Sequence, residues 1–169
     1  MSSDTQDIIF EGAVGLYRRV ELESWGDTGS LLPFDSDLKS LGFRFVGDLL
    51  CSALAQAVLR AYIHPTEHTR GLLVVGVKKG RLSVFGLFMD TRFINGVVAT
   101  TTTSRAVKDI PAKGVYRKIC SWKGVRDLHA QHQTHLEALR KVNGDTLPLG
   151  DTLESVAESL DVFTVRMSS

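Results

Sequence analysis

Three consecutive runs rich in β-branched and aromatic residues, separated by two short glycine turns, constrain this fold more than any other feature. The runs are Gly71 to Val77, Arg81 to Phe93 and Val97 to Thr103, and the turns between them are Lys79-Gly80 and Asn95-Gly96. Asn-Gly between such runs is a strong hairpin signal, because a type I′ turn needs positive φ at both central positions. The three runs are therefore predicted to be antiparallel neighbours in one sheet.

The long middle run is apolar on both of the faces that a strand presents. Alternation places two sets of apolar residues on opposite faces, Leu82, Val84 and Phe88 on one and Phe85, Leu87, Met89 and Phe93 on the other. Such a strand is typical of a sheet that is covered on both sides over part of its length. Gly86 within the run is the expected position of a β-bulge or bend.

Shorter patterns predict further elements on both sides of these runs. Residues 35–42 begin with acidic and hydroxyl residues and end in glycine, which is typical of a short helix. Residues 114–120 alternate like a strand. The stretch 53–62 suits either a helix, because it is rich in alanine and leucine, or a strand that ends before Pro65.

Two helices are predicted to close the chain. Apolar residues at 3.6-residue spacing indicate one over residues 125–142, and Asp151 with Glu154 predicts the capped start of the other. The predicted fold is α+β: a curved antiparallel sheet of five or six strands, a short helix before it, and two helices after it packed on one face. Residues 1–30 are predicted to be an N-terminal arm or lid, and residues 31–169 a single domain.

Composition excludes several classes of protein. Of the 169 residues, 43% are hydrophobic and 23% are charged, which is the balance of a globular domain rather than of a disordered or collagen-like chain. No stretch approaches the ~20 apolar residues that span a bilayer, and the first residues lack the basic and apolar parts of a secretory signal. A cytoplasmic domain without membrane insertion is predicted, with Cys51 and Cys120 as free thiols.

The basic segment Arg105–Arg126 raises the question of nucleic-acid binding. It interleaves Tyr116 and Trp122 with basic residues, a composition suited to phosphates and stacked bases. The whole chain has a formal net charge of only +1, and the acidic terminal segments could match this segment internally. Nucleic acid is therefore not the expected partner, and this reading is kept as a second alternative.

The histidines form two groups. His64, Glu67 and His68 spell H-x-x-E-H, in which two imidazoles ligate zinc and the carboxylate activates water. That chemistry requires a helix, which Pro65 disfavours, so a surface loop is the expected structure and a metal-dependent hydrolase using these residues is the alternative.

The second histidine group lies on the predicted helix 125–142. His129, His132 and His135 are three positions apart, and His132 and His135 fall within the apolar stripe. Two imidazoles that face a core could hold a metal or sense pH. Hydrogen bonding to backbone or acidic groups is the favoured interpretation, because only two ligands are visible.

A pattern spread over about residues 31–142 resembles an uncharacterised bacterial protein family. The run Leu41 to Asp48, the run Leu59 to Pro65, the turn Thr91 to Gly96, a threonine-rich strand and a closing helix carry the likeness. The resemblance implies a compact module without an assigned activity. It lends no catalytic residues, and it favours a strand over a helix for Ala57 to Ile63.

The common nucleotide, acyl-transfer and thiol-metal motifs are missing from the sequence. The predicted function is therefore non-enzymatic binding of a small ligand or protein partner in the concavity between sheet and helices, without a cofactor. The candidate binding residues are Arg60, Tyr62, Arg92, His132 and His135. The ligand and the oligomeric state are left open.

Overall fold

A computed structural model describes residues 8–12, 15–52, 57–103 and 114–168. Within these ranges eight strands form one sheet in chain order. The strands are β1 (Ile8–Gly12), β2 (Gly15–Val20), β3 (Arg44–Cys51), β4 (Ala57–His64), β5 (Thr69–Lys78), β6 (Arg81–Arg92), β7 (Val98–Thr102) and β8 (Val115–Ile119). The helices are α1 (Leu32–Ser40), α2 (Val125–Asn143) and α3 (Leu153–Ser168).

The α+β class and the antiparallel sheet are confirmed, but the sheet has more strands than the five or six predicted. Each strand from β1 to β6 pairs antiparallel with the next, whereas β7 and β8 are parallel. The additional strands β1 and β2 come from the segment predicted to be an arm, and β2 pairs with β3. Tyr17 on β2 is buried against the core, which gives this hairpin its place at the sheet edge.

The two glycine turns reverse the chain as predicted, but with different geometries. Lys79 and Gly80 both have positive φ, 52° and 71°, as a type I′ turn requires. At Asn95-Gly96 the expected type I′ turn is wrong: within this loop only Gly96 has positive φ, at 87°, and its N–H donates to the Phe93 carbonyl at 2.9 Å. Ile94, Asn95 and Gly96 form a three-residue loop, stabilised by the Val97 N–H bond to Asn95 Oδ1 at 3.1 Å.

The bulge expected at Gly86 is present at the neighbouring residue. Val74 lies opposite Gly86 and Val75 lies opposite Val84, so Phe85 is the extra residue on β6. The insertion reverses the alternation, and Leu82 therefore shares a face with Leu87 and Met89 while Phe88 lies on the other. The predicted assignment of residues to the two faces of this strand is wrong for that reason.

The two sheet faces are covered by different helices. We call the face under α1 and α2 the first face; it carries Val58, Tyr62, Leu73, Val75, Leu82, Leu87 and Met89. The second face lies under α3 and carries Leu49, Leu59, Ala61, Ile63 and Leu72. The prediction that both closing helices pack on one face is wrong, because β4 and β5 are apolar on both sides and each side requires cover.

Local signals at the helix ends agree only in part with the predictions. Helix α1 begins at Leu32, with Pro33 in its first turn, three residues before the predicted start. At the start of α3, Thr152 and Ser155 cap each other reciprocally, through Ser155 N–H to Thr152 Oγ1 at 3.1 Å. Asp151 is not the cap and instead pairs with Arg44.

Three further points concern the chain as a whole. Residues 57–64 form a strand, as the resemblance favoured. Cys51 and Cys120 are free, as predicted, and pack in separate hydrophobic clusters. None of the described helices combines the length and the apolarity needed to cross a membrane.

Gly80→Ala is expected to lower the free energy of unfolding by about 1 kcal/mol, because alanine disfavours the positive φ of 71°. A Cβ at this position would meet no neighbour within 4 Å, so the loss reports backbone conformation alone. Lys79→Asn is the matched variant and should keep or raise stability, since asparagine tolerates positive φ. Equilibrium urea unfolding measures both, and a Gly80→Ala protein as stable as the parent would contradict the type I′ turn.

Candidate functional site

Arg60 and Tyr62 lie side by side on the first face of β4, and both hydrogen-bond to carboxylates of this chain. Arg60 bonds both carboxylate oxygens of Asp48, at 2.8 and 3.0 Å, and Glu23 at 2.9 Å. Tyr62 donates its hydroxyl to Asp35 at 2.8 Å. These bonds attach α1, through Asp35, and the segment before it, through Glu23, to the sheet.

The pKa shifts in this cluster follow from burial and charge. Burial, followed by the hydrogen bond to Asp35, raises the pKa of the Tyr62 hydroxyl well above its usual range. Burial by itself would lower the pKa of Arg60, but the bonds to Asp48 and its charge raise it overall. Both groups therefore keep their protons, and their hydrogen bonds are directed at this chain's own carboxylates.

His132 lies at the centre of a buried chain of hydrogen bonds beneath α2. Thr69 donates to the Glu67 carbonyl at 3.1 Å, so the 2.9 Å bond between the two threonines runs from Thr91 to Thr69. Thr91 then accepts from His132 Nε2 at 2.8 Å, and His132 Nδ1 accepts from Thr101 at 2.7 Å. This sequence of donors requires the neutral Nε2–H tautomer of His132.

The environment of His132 agrees with that tautomer. Burial, with the nearby His135 and His129 charges as lesser causes, lowers the pKa of His132 to about 3. Hydrogen bonding to backbone or acidic groups is the favoured interpretation of the helix histidines, and His132 is hydrogen-bonded, but to the hydroxyls of two threonines instead. His135 lies apart from it, at the surface, where its Nε2–H donates to the Tyr116 carbonyl at 3.0 Å.

The residues of the H-x-x-E-H motif do not lie on a helix. His64 ends β4, and both of its ring nitrogens are engaged, by the Leu41 carbonyl at 3.0 Å and by the Glu67 N–H at 3.1 Å. His68 has a positive φ of 52° and bonds Thr146 at 2.9 Å. Across the described ranges no three His, Cys, Asp or Glu side chains are grouped so as to hold a metal ion.

Glu67 instead connects the two histidine groups. Its Oε2 accepts from His129 Nε2 at 2.7 Å and from Gln133 Nε2 at 3.0 Å, which attaches the β4–β5 turn to α2. Periodicity could not have predicted this contact, because it joins residues 62 positions apart.

The predicted basic segment is only partly described. Residues 105–113 lie outside the described ranges, so the part of the prediction that concerns them stays a prediction. Trp122 stacks on Phe34 with ring centroids 5.7 Å apart, and Arg126 donates to Ser40 at 2.7 Å.

The second face holds a buried ion pair that the sequence analysis missed. Arg70 on β5 and Asp90 on β6 lie directly opposite each other, and Arg70 Nη2 donates to Asp90 Oδ2 at 2.9 Å. Their side chains are only 5% and 6% exposed. Arg70 Nη1 also contacts the Ser159 hydroxyl on α3.

This pair belongs to a row that crosses four strands at the same level. The row consists of Ile63 on β4, Arg70, Asp90 and then Thr100 on β7. Three of its buried polar atoms have no hydrogen-bond partner among the described atoms: Arg70 Nε, Asp90 Oδ1 and Thr100 Oγ1. A buried polar atom without a partner costs about 1–3 kcal/mol, and such groups often mark a site for water or a ligand.

A cleft of about 230 Å³ opens over this row, between the sheet and α3. Its floor includes Ile63, Arg70 and Arg92, and its walls are the loop 147–150 and the first turns of α3. A recess of about 20 Å³ shares Arg70, Arg92, Leu149 and Ser159 with this cleft and is also lined by Asp90. Of the five candidate binding residues, Arg92 alone lines the cleft, while the other four are distributed over the first face and the α2 surface.

Thr100→Val is expected to leave stability unchanged or slightly raised, because it removes a buried hydroxyl that has no partner. Thr101→Val is the matched control on the neighbouring residue. It leaves His132 Nδ1 without its donor and should cost about 1–3 kcal/mol. Urea unfolding compares the two, and equal losses would mean that the Thr100 hydroxyl has a partner.

His132→Gln is expected to weaken the pH dependence of stability. Because the pKa of His132 is about 3 in the folded chain, the unfolded chain binds one more proton between that pH and about 6.5. Parental stability should therefore fall with decreasing pH, at up to about 1.4 kcal/mol per pH unit from this group. Unfolding at pH 4.5 to 7 measures the slope, and ¹⁵N NMR that shows a protonated His132 Nδ1 at pH 6 would contradict the assignment.

Comparison with protein-family models, with curated proteins and with solved structures finds no match to this chain. Function must therefore be inferred from geometry. Among the sites described above, the cleft over Arg70 and Asp90 combines an open volume with buried polar atoms that lack partners.

Proposed function

We propose that this protein is a non-enzymatic domain that binds a small molecule in the cleft between the second face and α3. The observation that carries the proposal is the buried Arg70–Asp90 pair, which borders the cleft with one donor and one acceptor unused. Ligand sites commonly place a few polar groups of this kind in an otherwise apolar concavity.

Stability alone is a poor reason for an ion pair at this position. Taking two charges out of water costs several kcal/mol per ion, and apolar side chains of similar volume often stabilise a fold as well or better. The neighbours Ile63 and Leu72 show that apolar side chains pack well on this face. Recognition of a ligand accounts for the charges and for their unused atoms together.

The walls of the cleft suit a molecule with an apolar part. Ile63 and Val156 are buried residues on opposite sides of it, and Leu149 lies on the loop that closes one end. That loop is held to the end of β6 by the Leu147 N–H bond to the Arg92 carbonyl at 2.7 Å. A cleft with a fixed wall loses less entropy on binding.

The first face supports the same choice of site. Arg60, Tyr62 and His132 all hydrogen-bond to this chain's own groups, and apolar residues of α1 and α2 pack on the same face. A ligand that bound to these three residues would have to displace their internal hydrogen bonds rather than complete missing ones.

Glu158→Trp is expected to weaken binding at least about tenfold, because Glu158 is exposed and lines the cleft, and an indole there would obstruct it. A library of small fragments of mixed charge, screened by ¹H–¹⁵N NMR, provides the ligands. Hits should shift the amide resonances of residues 155–159.

Glu154→Trp is the matched control, one turn earlier on α3. Its carboxylate makes only an exposed 3.6 Å pair with Arg19, so the variant should keep parental affinities. Fragments that leave the cleft resonances unchanged, or that bind Glu158→Trp as tightly as the parent, would contradict the proposed function.

A further inference from the structure

We infer that the ligand enters the recess with an uncharged group that both donates and accepts a hydrogen bond, such as a hydroxyl or a primary amide. This inference rests on the proposed function, and it names the chemical class that the cleft would select. It depends on the two unpartnered atoms of the Arg70–Asp90 pair and on the size of the recess that both residues line.

The two unpartnered atoms have opposite requirements. Arg70 Nε carries an N–H and can only donate, whereas Asp90 Oδ1 of an ionised carboxylate can only accept. A single group that completes both must accept from the guanidinium and donate to the carboxylate. A hydroxyl has one donor and two acceptor lone pairs, and a primary amide has both kinds of atom.

Charged head groups satisfy only one side of the pair. A carboxylate could accept from Arg70 but would place a second negative charge beside Asp90, and an ammonium would do the converse beside Arg70. Among the described residues, the charged ones that line the cleft and its recess are Arg70, Arg92, Asp90 and Glu158, whose formal charges sum to zero. The lining therefore supplies no net charge to offset the desolvation of an ionised ligand.

The dimensions restrict the head group further. The recess of about 20 Å³ admits a group about as large as one water molecule, whereas the adjoining cleft of about 230 Å³ has room for an apolar chain. Ile63, Leu149 and Val156 would contact that chain. The geometry therefore points to short aliphatic alcohols or amides, whose head group would enter the recess.

A matched four-carbon series tests the inference with the full chain: 1-butanol, butyramide, butyrate and n-butylammonium. Titration is followed by the Arg70 Nε–H resonance and by the cleft amides in ¹H–¹⁵N NMR. We expect the two neutral probes to bind at least about tenfold more tightly than the two ions, and to shift the Arg70 Nε–H resonance.

A variant must remove the recess chemistry without leaving a single buried charge. Asp90→Asn alone would strand Arg70 and could unfold the chain. The double variant Arg70→Leu/Asp90→Leu removes both charges together, and its amide spectrum reports whether it folds. It should lose the preference for neutral head groups and bind 1-butanol at least about tenfold more weakly.

The outcomes separate this inference from the proposed function. Equal binding of all four probes in the cleft, or tighter binding of either ion, would overturn the ligand class and leave the proposed function standing. Absence of any shift at the cleft residues would overturn both. Unchanged discrimination in a folded double variant would also overturn the ligand class, because the preference would then not come from Arg70 and Asp90.

Discussion

The central strands β4 and β5 carry apolar side chains on both faces, so neither face of the sheet can remain in water. Val58 and Leu73 require cover on one side, and Leu59 and Leu72 require it on the other. Helices α1 and α2 bury the first face and α3 buries the second. The cleft exists because α3 and the loop before it approach the second face without filling the space over Arg70.

The two faces differ in how their polar groups are satisfied. Beneath α2, the hydrogen-bond chain through His132 runs from the Thr101 hydroxyl to the Glu67 carbonyl, and the Arg60 cluster ends at carboxylates of this protein. Beneath α3, the Arg70–Asp90 pair has unpaired atoms. Since folding selects against unpaired buried atoms, stability explains the first arrangement but does not by itself explain the second.

Turn chemistry and periodicity are sufficient to predict the elements whose sequence signals are local. The hairpin at Lys79-Gly80, the strand β8 and the long helix α2 follow from residues adjacent in sequence. The placement of α3 and the Arg70–Asp90 pair cannot be predicted from residues adjacent in sequence. Both depend on which face of a distant strand each residue reaches. The candidate residues Arg60 and His132 were recognisable as polar groups in apolar strands and helices, but their partners 12 and 31 residues away were not.

One inserted residue determines both faces. The continuous alternation predicted for β6 would put Asp90 on the same face as Leu82, beneath α2, and would turn Met89 to the second face. With Phe85 bulged out of the ladder, the register between β5 and β6 shifts by one, so that Met89 joins Leu82 in the core and Asp90 meets Arg70. A Cβ built on Gly76 would lie only 2.0 Å from the nearest atom of the Phe85 ring, so glycine at this position leaves room for the ring. The shift that completes the apolar core on the first face thus also builds the charged row on the second.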